Sequence, residues 1–413
     1  MSENRRLSIE RANELKTRIT DYIEARQTIR SGLDISASIA LNKAKILGVL
    51  GGTEDDWDNW RWQMDNRISE TEVLARCLDL TDDEARTIEK VGEQYRWAIS
   101  PYYLSLVNPK DRRDPIFRQS VPAVEELDPR GVEDPMSEET TSPTDMVTRR
   151  YPDRLIVKVT NQCPMYCRHC QRRRAIGEVD VNTPRKHLTA AVDYIRENPE
   201  IRDVLITGGD ALMHSNATLD WLLTELDSIP HVEIKRIGTR TLATLPQRVT
   251  PELCRMLSKH HPLYINTQFN SPVEVTEEAK KATDMLSRAG IPVGNQAVLL
   301  KGINNDPHVM KRLNHELLKI RVLPYYIFHA KSVKGTTHFR CRVEDGMEIM
   351  ERLRGYTSGM AVPTYIINAP GGLGKTPMLP EYLLNFGKDE LLMRTWEGKV
   401  VKYKNYEGDD AEN

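Results

Sequence analysis

The chain has 413 residues, so at roughly 150 residues per domain it holds two to three domains, or one large α/β barrel with an appendage. Its 58 basic and 60 acidic residues leave a net charge of −2, which gives no global field toward nucleic acid or an anionic membrane. With 39% hydrophobic and 29% charged residues it is neither disordered nor fibrous, and six cysteines are too few for a disulfide framework. No apolar run approaches the ~18 residues that span a bilayer, and MSENRRLSIERANELK has no apolar core of a secretory leader. The expectation is a cytoplasmic enzyme.

Residues 1–106 read as a helical domain, with apolar positions at helical spacing such as Ile9, Leu15, Ile19 and Ile23, and later Val73, Leu74, Cys77 and Leu78. Trp57, Trp60 and Trp62 open one helix and serve as core anchors. From 107 to 150, Pro115, Pro122, Pro129, Pro135 and Pro143 stand among acidic, Ser and Thr residues, which predicts an extended connector wrapping the surface.

Beyond 150, six short apolar runs alternate with amphipathic segments: Leu155–Val159, Val204–Thr207, Val232–Ile237, Leu263–Thr267, Val293–Leu299 and Val322–Phe328. Pro272–Ala289 and His308–Ile320 are two of the helices between them. Six β-α units imply a parallel sheet with helices outside, either an open doubly wound sheet or a complete or partial barrel. Unusual polar residues gather just after the runs: Cys163 to Cys170, Gly208-Gly209-Asp210, Thr239-Arg240, then Gln268 and Asn270. In a parallel barrel those strand ends build the active site. A further run, Tyr365–Ile367, precedes Asn368 and the glycine-rich stretch to Lys375, so the core is placed at 151–375 and a C-terminal extension at 376–413.

Cys163, Cys167 and Cys170 make a C-x3-C-x2-C spacing. Three clustered thiolates hold a metal. Zinc with His169 as fourth ligand is one reading, although a structural zinc site draws on two separated ligand pairs and no second pair follows. An iron–sulfur cluster is the other, and three cysteines would leave one iron open to a ligand. The spacing, with Tyr166 before the middle cysteine, resembles the signature of the radical S-adenosylmethionine superfamily. That resemblance implies a [4Fe-4S] cluster on Cys163, Cys167 and Cys170 and S-adenosyl-L-methionine on the open iron. Gly208-Gly209-Asp210 resembles the family's glycine-rich segment, which contacts the methionine amino group.

Ala369-Pro-Gly-Gly-Leu-Gly-Lys375-Thr376 almost fits a phosphate loop, but Ala369 replaces the first glycine, and Pro377 and Pro380 interrupt the helix that should follow. The other reading is a lysine whose amine forms an imine with an aldehyde cofactor, pyridoxal 5′-phosphate. Arg149, Arg150 and Arg154 could anchor its phosphate, or be a solvated basic run at a domain boundary.

Residues 50–400 resemble the 2,3-aminomutases, on segments that include DWDNWRW, SPYYLSL, RYPDRL, CPMYCRHCQRRR, GGDAL, GNQAVLLKG, RVLPYYI and APGGLGKTP. The resemblance implies that Lys375 carries pyridoxal phosphate, Arg150 and Arg154 hold its phosphate, Gln296 lines the cofactor site and Arg172 pairs with the substrate α-carboxylate. It also implies a (β/α)6 partial barrel, an electron donor such as flavodoxin or ferredoxin, and a homo-oligomer, dimer or tetramer.

In the lysine-specific members two aspartates hold the substrate's distal ammonium; Lys331 and Asn368 stand at those places here. A lysine ammonium about 4 Å from Lys331 would be repelled by about 4 kcal/mol at an effective dielectric of 20, roughly a thousandfold in affinity. A carboxylate would gain charge-assisted hydrogen bonds instead. The expected substrate is therefore a dicarboxylic amino acid. Glutamate is favoured, because moving the amine to C3 yields 3-aminoglutarate, whereas the same shift in aspartate regenerates aspartate. Lysine as substrate, a non-catalytic iron–sulfur protein and a zinc-binding module are the rivals. Asp306 replaces the zinc-ligating cysteine of zinc-bearing members and no cysteine follows Cys341, so zinc is not expected.

Overall fold

The computed structural model describes residues 1–405. Through residue 105 its regular elements are helices, among them Ser36–Leu50, Thr71–Leu78 and Asp82–Gln94, which bury Ile46, Leu74, Cys77, Leu78 and Ile88 in one cluster with Trp57. The first helix, Glu3–Thr17, buries none of its residues, and Ile9 and Leu15 are exposed. Polar contacts hold it, since Arg11 donates to Glu397 at 2.5 Å. The tryptophan stretch forms two helices, not one, because Asn59 breaks the chain and caps the second by accepting from the Arg61 amide at 3.0 Å.

The segment 107–150, expected as an extended surface connector, departs most from its composition. Pro115 is the first residue of a helix, Pro115–Ser120, where a missing N–H costs nothing, and Asp114 caps it at 2.9 Å to the amides of Ile116 and Phe117. Further on the chain turns inward and buries two carboxylates. Glu126 is fully buried between Arg168, at 2.6 and 2.9 Å, and Arg173; Glu138 accepts from Arg172 at 2.9 Å. Buried acids need such partners, and here the partners belong to the loop that carries the cysteines.

The main sheet has nine strands: β1 (Val147–Arg149), β2 (Arg154–Lys158), β3 (Asp203–Thr207), β4 (Ile234–Gly238), β5 (Leu263–Thr267), β6 (Val293–Leu299), β7 (Val322–His329), β8 (Thr364–Ala369) and β9 (Gly374–Met378). Neighbours from β2 to β8 pair in parallel, while β1 and β9 run antiparallel at the two edges. The spatial order follows the sequence without reversal, which excludes the doubly wound alternative with its switch point. No pairing joins β1 to β9 among the described residues, so this is a partial barrel. The six expected runs are β2 to β7; β8 adds a seventh parallel strand. The expected helix at 272–289 begins with a short 3₁₀ turn, and Glu277–Arg288 and Pro307–Lys319 are the α-helices of the two forecast segments.

Alternation along the strands divides the residues between two environments. Leu155, Val157, Val204, Ile206, Ile237 and Ile265 are buried in the core with the surrounding helices, each worth about 1.5–3 kcal/mol when fully buried. The opposite phase, Arg154, Ile156, Leu205, Thr207, Arg236 and Gly238, lines a cavity inside the curl. Beyond β9, β10 (Leu383–Phe386), β11 (Glu390–Arg394) and β12 (Val400–Lys404) make a separate antiparallel sheet. Among the described residues no helix is long and apolar enough to cross a membrane.

Candidate active site

The cavity, about 330 Å³, is lined by all three clustered cysteines, the Gly208-Gly209-Asp210 turn, Arg150, Arg154, Arg172, Gln296, Lys331, Asn368 and Lys375. Every residue to which the family resemblance gave a role therefore reaches one space. Arg149 does not: it bonds Tyr194, Asn198 and Glu200 outside the cavity.

The cysteine wall follows β2. Burial pushes the Cys163 and Cys170 thiols up, with Asp210 and then the other cysteines adding at Cys163 and Cys167 adding at Cys170. Three soft donors on one wall suit a metal group that neutralises thiolates. His169 is poorly placed as a fourth ligand, because its Nε2 faces the side-chain amides of Gln268 and Asn270 at 3.1 and 3.3 Å; burial, then Arg240 and Arg173, hold its ring neutral.

The glycine turn after β3 fits against this wall without room for side chains. Gly208 has φ +140°, and a Cβ there would fall on the Thr160 carbonyl; at Gly209 it would lie 2.5 Å from the Gln162 carbonyl. The amides of Gly209 and Asp210 donate to those same carbonyls at 2.5 and 2.8 Å. Asp210 is consumed locally: its carboxylate accepts from the Thr239 hydroxyl at 2.6 Å and the Arg240 amide at 2.7 Å, tying the end of β3 to the end of β4.

Lys375 sits on β9, a strand rather than the loop its glycines suggested, with its backbone N–H on the Tyr151 hydroxyl at 2.9 Å. Pro377 is compatible with that strand because β9 is an edge. The Lys375 ammonium lies 4.7 Å from the Tyr326 ring and 5.3 Å from the Phe328 ring. Burial, then Arg236 and Arg154, bring its pKa down to about 8, so a useful fraction is a neutral nucleophile near pH 7. Arg150 Nη2 is buried with no well-formed hydrogen bond, its nearest carboxylate being Glu138 at 3.4 Å, and Arg154 stacks on Tyr151 at 4.0 Å. An aldehyde with a phosphate arm suits this amine and these guanidinium groups.

Lys331, just past β7, donates to the Gln171 side chain. Burial, then Arg172, Arg150 and Lys375, press its pKa down to about 7. The Asn368 Nδ2 is buried with no partner. Glu138 stays below the usual carboxylate range despite burial, because Arg172 and Arg150 flank it.

Sequence reasoning missed Glu138, Arg236, Gln171 and the aromatic faces of Tyr326 and Phe328. Arg236 had a signal, since it occupies the cavity phase of β4 between Lys235 and Ile237, both buried. Glu138 had none, because its partners are set by tertiary packing.

An incomplete parallel barrel with a cysteine triad at its C-terminal edge defines a radical S-adenosylmethionine enzyme, and the family model described as the radical SAM superfamily matches residues 157–313. A second model, described as lysine-2,3-aminomutase, matches residues 350–413. The chain is 58% identical over 406 residues to glutamate 2,3-aminomutase of Clostridioides difficile (strain 630), covering 98% of this chain and 96% of that protein. It is 48% identical over 353 residues to L-lysine 2,3-aminomutase of Clostridium subterminale, covering 85% of each chain. Against L-lysine 2,3-aminomutase of Fusobacterium nucleatum the identity is 47%, over 85% of this chain and 83% of the other. The chain belongs to the 2,3-aminomutase family of radical S-adenosylmethionine enzymes: it is an isomerase with an amino acid as substrate, and the family implies a [4Fe-4S] cluster and S-adenosylmethionine.

Proposed function

We propose that the substrate is L-glutamate, converted to 3-aminoglutarate with pyridoxal phosphate as third cofactor. The observation that carries this reading is the pair of cavity residues Lys331, an amine that a bound carboxylate would hold protonated, and Asn368, whose Nδ2 lacks an acceptor. Both offer donors where a distal ammonium would need acceptors. The 58% identity to a glutamate 2,3-aminomutase supports the same choice.

When bound, the cluster with S-adenosylmethionine supplies a 5′-deoxyadenosyl radical, and pyridoxal phosphate supplies an aldehyde for the substrate amine. The protein's part is positioning. Arg172, whose Nε now rests on Glu138, offers its fork to the α-carboxylate, and Lys331 with Asn368 takes the distal one. Fixing both ends restricts the substrate's orientation and makes the transfer effectively unimolecular. Lys375 would hold the aldehyde through its partly neutral amine. Arg150 and Arg154 hold the phosphate, Gln296 lines the cofactor space, and Gly208, Gly209 and Asp210 shape the wall for the methionine end of S-adenosylmethionine. Tyr326 and Phe328 set aromatic faces beside the Lys375 amine. A flavodoxin or ferredoxin as electron donor, a homo-oligomer and a cytoplasmic location belong to the same proposal.

Anaerobic protein given L-glutamate, S-adenosylmethionine, pyridoxal phosphate and a strong reductant forms 3-aminoglutarate, read by amino-acid analysis. Conversion of lysine with none of glutamate would overturn the substrate assignment. Borohydride treatment leaves a pyridoxyl group on Lys375, and its absence would remove pyridoxal phosphate from the scheme.

A further inference from the structure

Arg240 is 8% exposed and directs one face of its guanidinium at a cluster-ligating sulfur. Its Nη1 lies 2.7 Å from Cys167 Sγ. The other two nitrogens are engaged as well: Nη2 contacts Glu274 Oε1 at 2.6 Å, Gln119 Oε1 at 2.7 Å and the Tyr103 hydroxyl at 3.2 Å, and Nε reaches the Gln268 carbonyl at 3.3 Å. Glu274 is fully buried and is itself held by the Tyr103 hydroxyl at 2.7 Å and the Ser271 amide at 2.9 Å. The ion pair is therefore oriented, with its cationic end toward the sulfur and its anionic end behind. A guanidinium stays protonated in proteins, and buried Glu274 supplies its counter-charge at 2.6 Å.

We propose that Arg240 sets the reduction potential of the iron–sulfur cluster, by donating an N–H and presenting a fixed positive charge to the Cys167 sulfur. It rests on the cluster assigned to Cys163, Cys167 and Cys170. The electron arrives from a low-potential one-electron donor; the cluster gains one negative charge, the donor loses it, and no proton moves. Hydrogen bonds and net charge at the sulfurs are known levers on such potentials. A nearby cation favours the more negative state, so Arg240 eases reduction, and Glu274 behind it moderates the effect. Asp210, which receives the Arg240 amide, and Gln119, from the 115–120 helix, are positioning residues for the guanidinium.

The test uses the full chain reconstituted anaerobically with iron and sulfide, titrated without S-adenosylmethionine and followed by the paramagnetic signal of the reduced cluster. Arg240→Gln lowers the midpoint by at least a tenfold change in the reduction equilibrium, 59 mV for one electron. Glu274→Gln, which keeps the guanidinium and removes its counter-charge, raises it. A purely structural role would alter iron content without opposite shifts. An unchanged midpoint in Arg240→Gln at full iron content, or shifts of the same sign in both variants, overturns the proposal. If Arg240→Gln fails to hold its iron, Glu274→Gln decides, and an unchanged or lowered midpoint there overturns it. Loss of iron from the parent chain itself would instead refute the cluster assignment.

Discussion

Replacing Lys331 by methionine tests the substrate assignment at its weakest joint. The change keeps side-chain length and apolar stem while removing the one cation offered to the distal carboxylate. That carboxylate would then face the Asn368 amide and Gln171, neither of them charged. Truncating one partner of a desolvated charge pair costs about 2–5 kcal/mol, or about 30-fold to several thousandfold in kcat/KM. The observed loss at pH 7 is about twofold smaller, because a lysine with pKa about 7 is only half protonated in the free enzyme. The assay is kcat/KM for L-glutamate under anaerobic conditions, with iron content and the pyridoxyl adduct on Lys375 as controls for an intact site. A loss under about threefold, with both controls intact, would refute the placement of the distal carboxylate on Lys331.

The same lysine dictates a pH dependence. Its ammonium is present below pH about 7 and lost above, so kcat/KM for glutamate falls with rising pH through that value, whereas kcat stays level because the bound carboxylate restores the proton; the limb vanishes in Lys331→Met. Gly208→Ala forces a side chain at φ +140° onto the Thr160 carbonyl, at a cost of roughly 1–3 kcal/mol, and thermal denaturation shows the loss together with reduced iron content. Glu126→Gln leaves Arg168 and Arg173 without their shared carboxylate, costing about 3–5 kcal/mol in urea unfolding; an unchanged midpoint would refute the role assigned to this ion pair.

Period-two apolar runs marked β2 to β7 within a few residues, because each strand's outer phase must be apolar to meet the helices. The cysteine triad was legible because its spacing is one that packing alone does not select, and the glycine turn because backbone packed this closely admits no side chain. What escaped depends on distant partners. Five prolines and many acids made 107–150 look solvated, yet Glu126 and Glu138 are the counter-charges of Arg168, Arg173, Arg172 and Arg150. No local pattern distinguishes a carboxylate bound for burial from one that stays in water. Lys375 shows the converse: its motif was plain, but its strand is made by pairing with β8, with Asn368 opposite Lys375 in the register.

That register bears on how substrate choice and chemistry are coupled. Because Asn368 and Lys375 are cross-strand partners, the residue proposed to read the distal carboxylate and the residue proposed to hold the cofactor share one rigid ladder. Lys331, one strand over past β7, feels the charge of Lys375, Arg172 and Arg150 directly. In this surrounding a second ammonium on the substrate would add to an already crowded set of cations, while each carboxylate relieves it. Changing Lys331 alone to an acid should not create a good lysine enzyme, since Asn368 still presents a donor. The double replacement Lys331→Asp with Asn368→Asp is the smallest change that reverses the sign of the side-chain end, and lysine turnover by it, with glutamate turnover lost, is the expected result. Unchanged glutamate kinetics in that double variant would mean that the distal end of the substrate is held elsewhere.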